Sequence, residues 1–125
     1  MLRPSPVDVP KWADPDYVAH NIAAFAKTGF RGGLNYYRAA QETFELMPAF
    51  RNATIRQPSL YIWGAEDELC RLFHPTPPTL SHLKGAQPGL LDVIRLENVG
   101  HWIQHEAAER LNAELIKFLR TLVSS

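Results

Sequence analysis

The stretch Pro58-Ser59-Leu60-Tyr61-Ile62-Trp63-Gly64 decides the fold class of this 125-residue sequence. It is a short apolar and aromatic run between a proline and a glycine, a pattern typical of a parallel strand that is covered on both faces. A second run of this character extends from Leu90 to Leu96, and an amphipathic helix follows from about Ala107 to Leu122. With an irregular helical stretch between the two strands, the order predicts a βαβα unit of an α/β fold.

The sequence before the first strand has a helical pattern. Asp14-Pro15-Asp16 is a typical helix start, with a capping acid and a proline in the first turn, and Gly29 lies where that helix would end. A second stretch with helical spacing extends from Leu34 to Phe44. We therefore divide the chain into a helical segment, residues 1–56, and a sheet-containing segment, residues 57–125.

Two predicted strands are too few for a stable sheet of this class. A parallel strand is stable when it has neighbours in the sheet and helices on both faces, and residues 1–56 offer no strand pattern. We therefore expect the sheet-containing segment to be the edge of a larger sheet, and the fold to be incomplete as given.

Composition excludes several classes of function. Basic and acidic residues are balanced, 13 of each, which gives no electrostatic reason to bind nucleic acid or an anionic membrane. No apolar stretch is long enough to span a membrane, and one cysteine, Cys70, cannot form an internal disulfide. We expect a cytoplasmic protein. The histidines have no spacing typical of a metal site, so we predict neither metal nor cofactor.

An acid and a histidine follow the carboxyl ends of the two predicted strands. Asp67 comes after the first strand and His101 after the second. Ligand sites of parallel sheets lie at this edge, where such side chains can meet. An acid bonded to one imidazole nitrogen fixes the tautomer and leaves the other nitrogen able to take a proton from water. Because Glu66 and Glu68 flank Asp67, spacing alone leaves the identity of the acid open.

Three segments resemble motifs of soluble and bacterial epoxide hydrolases, which are α/β-hydrolases with a helical cap. The segments are Gly29-Phe30-Arg31-Gly32-Gly33-Leu34-Asn35-Tyr36-Tyr37-Arg38, Trp63-Gly64-Ala65-Glu66-Asp67 and Asn98-Val99-Gly100-His101-Trp102-Ile103-Gln104-His105-Glu106. The first is fairly specific to epoxide hydrolases, whereas the other two occur more widely among α/β-hydrolases. The resemblance implies that residues 1–56 are the later part of the cap and residues 57–125 the C-terminal part of the core.

The resemblance also implies roles for particular residues. In the family, an aspartate attacks an epoxide carbon and forms an ester, cap tyrosines donate hydrogen bonds to the epoxide oxygen, and a histidine–acid pair activates water to cleave the ester. His101 matches the base, Asp67 the acid that orients it, and Tyr37 an oxygen-donating tyrosine. Tyr36 and Trp102 match positions beside the substrate. A phenol, with a reference pKa of about 10, suits a proton donor near neutrality.

The sequence lacks three features of the family, one of which is the first cap tyrosine. It contains no aspartate in a Gly-x-Asp-x-Gly setting, which in the family carries the nucleophile, and no His-Gly loop for the oxyanion. We therefore predict that the chain alone does not hydrolyse epoxides. Two alternatives stay open. One is another α/β-hydrolase such as a haloalkane dehalogenase. The other is a non-catalytic remnant or half of a split protein, which would associate with a companion N-terminal fragment or with itself.

Overall fold

A computed structural model describes residues 9–73 and 76–123 of the chain, except the side chains of Arg71 and Phe73. The described residues form two compact units that divide between Asn52 and Ala53. The sequence placed its boundary after residue 56. In the structure the first part is helical and both described strands belong to the second.

The first helix of the helical unit has the predicted boundaries. Helix α1 spans Pro15–Thr28, and the Asp14 carboxylate accepts a hydrogen bond from the backbone N–H of Tyr17 at 2.9 Å. Gly29 ends the helix with a φ of 68°, a conformation that favours glycine because it has no Cβ. Both ends of α1 are therefore fixed by residues within or next to the helix.

The second periodic stretch forms two helices where the sequence predicted one. Helix α2 spans Arg31–Arg38, helix α3 spans Ala40–Leu46, and a 3₁₀-helix follows over Met47–Phe50. The break lies at Ala39, whose ψ of 2° departs from the helical value of about −42°. The Ala39 N–H still donates to Asn35 at 2.9 Å, so the chain changes direction without losing that bond. No residue of these helices is buried within the described chain.

The sheet unit has the predicted strand–helix–strand–helix order. Strands β1 (Ser59–Gly64) and β2 (Leu90–Leu96) pair in parallel, with Ile62 opposite Ile94. Between them lie two short helices, α4 (Glu68–Phe73) and α5 (Leu80–Leu83). After β2 come the single-turn helix α6 (Ile103–Glu106) and the long helix α7 (Ala108–Val123). The fold is that of a partial α/β sheet.

The strands are less buried than their apolar composition predicted. Most of β1 is half-buried, and Leu91, Asp92 and Arg95 of β2 are exposed. With two strands in the described chain, each strand has one neighbour instead of two, and the faces are only partly covered. Leu90 is fully buried at the start of β2.

The buried cluster of the sheet unit lies next to the loop that carries His101. It consists of Leu96 at the end of β2, Val99 in the following turn and Ala107 before α7. Ile62, Ile94 and Ile103 pack against it. The ends of the strands and the segment from residue 97 to residue 107 are thus held by the same apolar contacts.

Candidate functional site

Asp67 is fixed by the turn that joins β1 to α4. Its Oδ1 accepts hydrogen bonds from the backbone N–H groups of Leu69 at 2.9 Å and Cys70 at 3.2 Å, at the start of α4. Its own N–H donates to the carbonyl of Gly64 at 3.0 Å. A carboxylate is favoured at a helix start, because it satisfies N–H groups that lack partners within the helix. Both side-chain contacts use Oδ1, so Oδ2 can accept a hydrogen bond from another residue.

The loop that carries His101 is bound directly to the segment after β1. The N–H of Ala65 donates to Leu96 at 2.9 Å, and the N–H of Glu66 donates to Val99 at 2.8 Å. Between these two acceptors, Asn98 has a φ of 58°, a left-handed conformation that asparagine tolerates better than most residues. These two bonds continue the parallel hydrogen bonding past the ends of the strands. They align the turn that carries Asp67 with the loop that carries His101, the histidine loop (residues 97–102).

Gly64 allows the two loops to approach closely. A Cβ atom at this position would lie 2.1 Å from the carbonyl oxygen of Gly100 and 2.4 Å from that of Val99. Both are backbone atoms, so a side-chain rotation could not relieve the clash. Glycine at the end of β1 is thus required by the backbone of the histidine loop.

The structure brings Asp67 and His101 together. Nδ1 of His101 lies 3.1 Å from Oδ2 of Asp67. Burial by itself raises the pKa of Asp67, but the hydrogen bonds from His101 and from the backbone N–H groups of Cys70 and Leu69 outweigh it, and the pKa lies below its usual value. Asp67 is therefore a carboxylate at neutral pH and, among the three adjacent acids, the one that contacts the imidazole.

This contact defines what the imidazole can do. A carboxylate on Nδ1 favours the tautomer with its proton on that nitrogen, so Nε2 is the nitrogen that can accept a proton. The His101 side chain is 47% exposed, whereas that of Asp67 is 15% exposed. Trp102 is half-exposed and meets the His101 ring edge-to-face, with ring centroids 5.2 Å apart. The His101 imidazole is thus oriented by Asp67 and lies next to the ring of Trp102.

The two tyrosines lie on α2 of the helical unit. Tyr36 and Tyr37 are 81% and 74% exposed, and their rings meet edge-to-face with centroids 5.5 Å apart. Packing within this unit therefore does not account for Tyr37. The roles of Tyr36 and Tyr37 toward a substrate stay predictions.

Cys70 is a packing residue. It is buried beside Tyr61, as expected for a lone small thiol. Burial raises the pKa of the thiol and the charge of Asp67 raises it further, while a hydrogen bond with Tyr61 opposes this only in part. A thiol in such surroundings stays protonated and is a poor nucleophile.

The described residues contain no group of three or more histidine, cysteine, aspartate or glutamate side chains that could hold a metal ion. Within the same ranges, no helix has the length and apolar character needed to cross a membrane.

Glu106 contacts the histidine loop, and sequence reasoning gave it no role. Its Oε2 accepts from the N–H of Gly100 at 2.6 Å and its Oε1 from the N–H of Trp102 at 3.0 Å. These are the two residues that flank His101. The sequence motif contains this acid five positions after the histidine. Its hydrogen-bond partners, however, are backbone groups that only the folded loop brings close to it.

Known proteins that resemble this chain are epoxide hydrolases. An epoxide hydrolase from Caballeronia sordidicola is 49% identical over 122 residues, which are 98% of this chain and 36% of the relative. Epoxide hydrolase A from Mycobacterium tuberculosis is 33% identical over 95% of this chain and 35% of its own length. The crystal structure of epoxide hydrolase A from Mycobacterium thermoresistibile superposes with a TM-score of 0.79 at 37% identity, over 94% of this chain and 35% of that one.

No protein-family model matches the sequence. The chain spans about one third of the length of the relatives named above. The sequence motifs agree with the similarity to these epoxide hydrolases. The partial parallel sheet, with Asp67 and His101 after its two strands, agrees with it as well. The chain is a homologue of epoxide hydrolases of the α/β-hydrolase fold and corresponds to a C-terminal portion of them.

Proposed function

We propose that His101 and Asp67 form the water-activating pair of an epoxide hydrolase, and that an aspartate nucleophile has to come from a separate segment. The observation that carries the proposal is the 3.1 Å contact between His101 Nδ1 and Asp67 Oδ2 in a chain homologous to epoxide hydrolases. None of the described aspartates apart from Asp67 lies at the end of a strand: Asp14 and Asp16 lie at the start of α1, and Asp92 lies within β2.

The reaction divides between the two segments. The supplied aspartate attacks an epoxide carbon, the carbon–oxygen bond breaks, and the oxygen takes a proton from the phenol of Tyr37 as the ester forms. Water then adds to the ester carbonyl while Nε2 of His101, acting as general base, takes one of its protons. The ester bond breaks, that proton passes from His101 to the departing alkoxide, and a vicinal diol leaves. The second proton of the water, left on the aspartate, returns to Tyr37. One epoxide and one water give one diol, and no metal or cofactor takes part.

Tyr37 is the proposed hydrogen-bond donor to the epoxide oxygen, with Tyr36 and Trp102 beside the substrate. Charge develops on that oxygen as the strained ring opens, so a phenol directed at it stabilises the transition state. The exposure of both tyrosines supports the idea that they face a ligand or another segment instead of the packed interior of their own unit.

A companion segment is part of the proposal. Large apolar side chains of the helical unit are exposed, including Ile22, Phe44 and Phe50 at 65–69%. Exposed apolar surface of this extent and a sheet of two strands are typical of a protein that associates with a partner or with itself. The partner we propose is an N-terminal segment of an epoxide hydrolase, because such a segment would carry the nucleophile.

A complementation assay tests the function. The purified chain is incubated with a reactive aryl epoxide, alone and together with the part of the Caballeronia sordidicola relative that precedes the matched third. We expect no diol above the uncatalysed rate from either segment alone and enzymatic diol formation from the mixture. Enzymatic turnover by the chain alone would contradict the proposal, and so would an inactive mixture in which the two segments are shown to bind.

A substitution at His101 tests its role more sharply. With His101→Gln in the mixture, the nucleophile can still open the epoxide, but the ester is no longer hydrolysed. We expect the companion segment to gain the mass of one epoxide, seen by intact mass spectrometry, while diol formation falls by a factor of 100 or more, on the order of a general base's contribution. His20→Gln, an exposed position on α1, is the matched control and should turn over normally. Normal turnover by His101→Gln would exclude the proposed role.

The same mixture distinguishes the haloalkane dehalogenase alternative, since that activity would release halide from a haloalkane and leave the epoxide intact.

We also propose a cytoplasmic location, supported by the neutral composition and the single cysteine. Fractionation of cells that express the tagged chain tests it, and recovery with the membrane or outside the cell would contradict it.

A further inference from the structure

We infer that Glu106 is a positioning residue that holds His101 against Asp67. Its two carboxylate oxygens accept hydrogen bonds from the backbone N–H groups on either side of the histidine, Gly100 at 2.6 Å and Trp102 at 3.0 Å. The inference deepens the proposed function, because it concerns the histidine that serves there as the base, but its test requires no epoxide turnover.

The bond to Gly100 distinguishes this arrangement from ordinary helix capping. Trp102 is the N-cap of α6, and an acid that reaches back from the first turn to the N-cap N–H is a common helix-start motif. Glu106 makes that bond and also a second one, two residues earlier, beyond the helix. The second bond contributes nothing to the helix start. Its effect is to place His101 between two peptide groups that are bound to the same carboxylate.

The other side of the loop is equally constrained. The carbonyl of Trp102 accepts from the N–H groups of His105 and Glu106, both at 2.8 Å. Across the loop, Gly64 packs against the carbonyls of Val99 and Gly100 at distances that exclude a Cβ. The backbone around His101 is therefore held by Glu106 on one side and by the end of β1 on the other.

This explains how a half-exposed imidazole keeps a defined partner. The His101 ring is 47% exposed, and an exposed histidine–carboxylate contact on a mobile loop would contribute little. Fixing the peptide groups on both sides of His101 restricts the loop, so the entropic cost of keeping Nδ1 at 3.1 Å from Asp67 is reduced. Hydrogen bonds to a charged acceptor are among the stronger ones, and Glu106 is partly buried, which reduces competition from water.

The test measures the tautomer of His101 by long-range ¹H–¹⁵N NMR of the full chain, at a pH about two units above the reference histidine pKa of about 6.5. The His101 signals are assigned with His101→Gln. In the wild type we expect the proton on Nδ1. In Glu106→Ala the signals should shift toward the Nε2–H tautomer that free histidine prefers, and the Gly100 and Trp102 amides should exchange about tenfold faster or more.

Graded variants separate positioning from a general loss of structure. The amide of Glu106→Gln has one acceptor oxygen in place of two, so its shift should lie between wild type and Glu106→Ala. Glu109→Gln, on the exposed first turn of α7, makes the same charge change and should match the wild type. Sheet amides such as those of Ile62 and Ile94 report whether the fold persists.

An unchanged His101 tautomer in Glu106→Ala, with the sheet amides still protected, overturns the inference. If Glu106→Ala loses that protection, Glu106→Gln decides by the same two measurements. An equal shift in Glu109→Gln would also overturn it, because the effect would then come from net charge. A failed complementation assay leaves this result unaffected, so failure of the proposed function and failure of the positioning role are distinguishable.

Discussion

The helical unit and the sheet unit are stabilised by different kinds of contact. In the helical unit, the residues that fix α1 lie next to it in sequence: Asp14 caps its start, and Gly29 ends it. In the sheet unit, residues far apart in sequence meet, as in the pairing of β1 with β2 and the contact of Asp67 with His101. The helices of the first unit have no buried residue in the described chain, whereas the second has a buried cluster.

This difference indicates where the stability of the isolated chain lies. Helices with exposed apolar side chains gain little from burial, and short isolated helices are marginal in water. The sheet unit has its own apolar contacts and holds the histidine–acid pair with them. We therefore expect substitutions in the sheet unit to affect the chain strongly and equivalent substitutions in the helical unit to affect it weakly.

The largest effect should come from Leu90→Ala. Leu90 is fully buried at the start of β2, and removing a buried leucine side chain costs about 2–5 kcal/mol. Leu34→Ala makes the same change on α2, where the side chain is 47% exposed, and should change stability by about 0.5 kcal/mol or less. Amide exchange of β1 and β2 measures the first loss and amide exchange of α2 the second, because each set of amides reports on its own unit. Equal losses in the two variants would mean that the helical unit is as well packed as the sheet unit.

A pair of glycine substitutions should give opposite signs. Gly64→Ala places a Cβ against the carbonyls of Val99 and Gly100 and should destabilise the sheet unit by about 1–3 kcal/mol. Gly33→Ala lies within α2, where a Cβ meets nothing within 4 Å, and should stabilise that helix by about 0.5–1 kcal/mol. Amide exchange of β1 and circular dichroism of the helices measure the two effects. A neutral Gly64→Ala would contradict the close approach of the two loops.

The sequence predicted elements that depend on local signals and missed features that depend on folded geometry. The strand at Ser59–Gly64 was predictable because an apolar run stands between Pro58 and a glycine. The break at Ala39 was not, since it rests on a single ψ angle within a continuous helical pattern. Such a change in direction leaves no mark in the spacing of apolar residues.

The same distinction holds for the site. Strand order predicted that an acid and a histidine meet, and Asp67 and His101 do lie in contact. Spacing left the acid open between Asp67 and its two glutamate neighbours. The structure selects Asp67 because its short side chain caps α4 through one oxygen and reaches the imidazole with the other. The contacts of Glu106 were hidden for a related reason, because they join residues across a folded loop.

Acid should weaken the sheet unit through Asp67, with a smaller effect than the core substitutions. Folding lowers the pKa of Asp67, so near its usual value of about 3.9 the unfolded chain binds the proton more readily than the folded one. The stabilisation is complete above that pH and is lost as the pH falls through it and below. Asp67→Asn should therefore flatten the pH dependence of urea unfolding in this window. Asp92→Asn, on an exposed position of β2, controls for net charge, and a slope unchanged by Asp67→Asn would contradict the shift.

The most local effect should come from the cap of α1. Asp14→Ala removes the acceptor for the Tyr17 N–H and should cost about 1 kcal/mol of local helix stability. Because α1 buries none of its residues in the described chain, this loss should appear as fraying of α1 in amide exchange, without a change in the exchange of β1 and β2. Asp16→Ala, also an acid in the first turn, is the control for charge near the helix start. Faster exchange in the sheet after Asp14→Ala would show that the two units unfold together, and the contrast between local and long-range stabilisation would then fail.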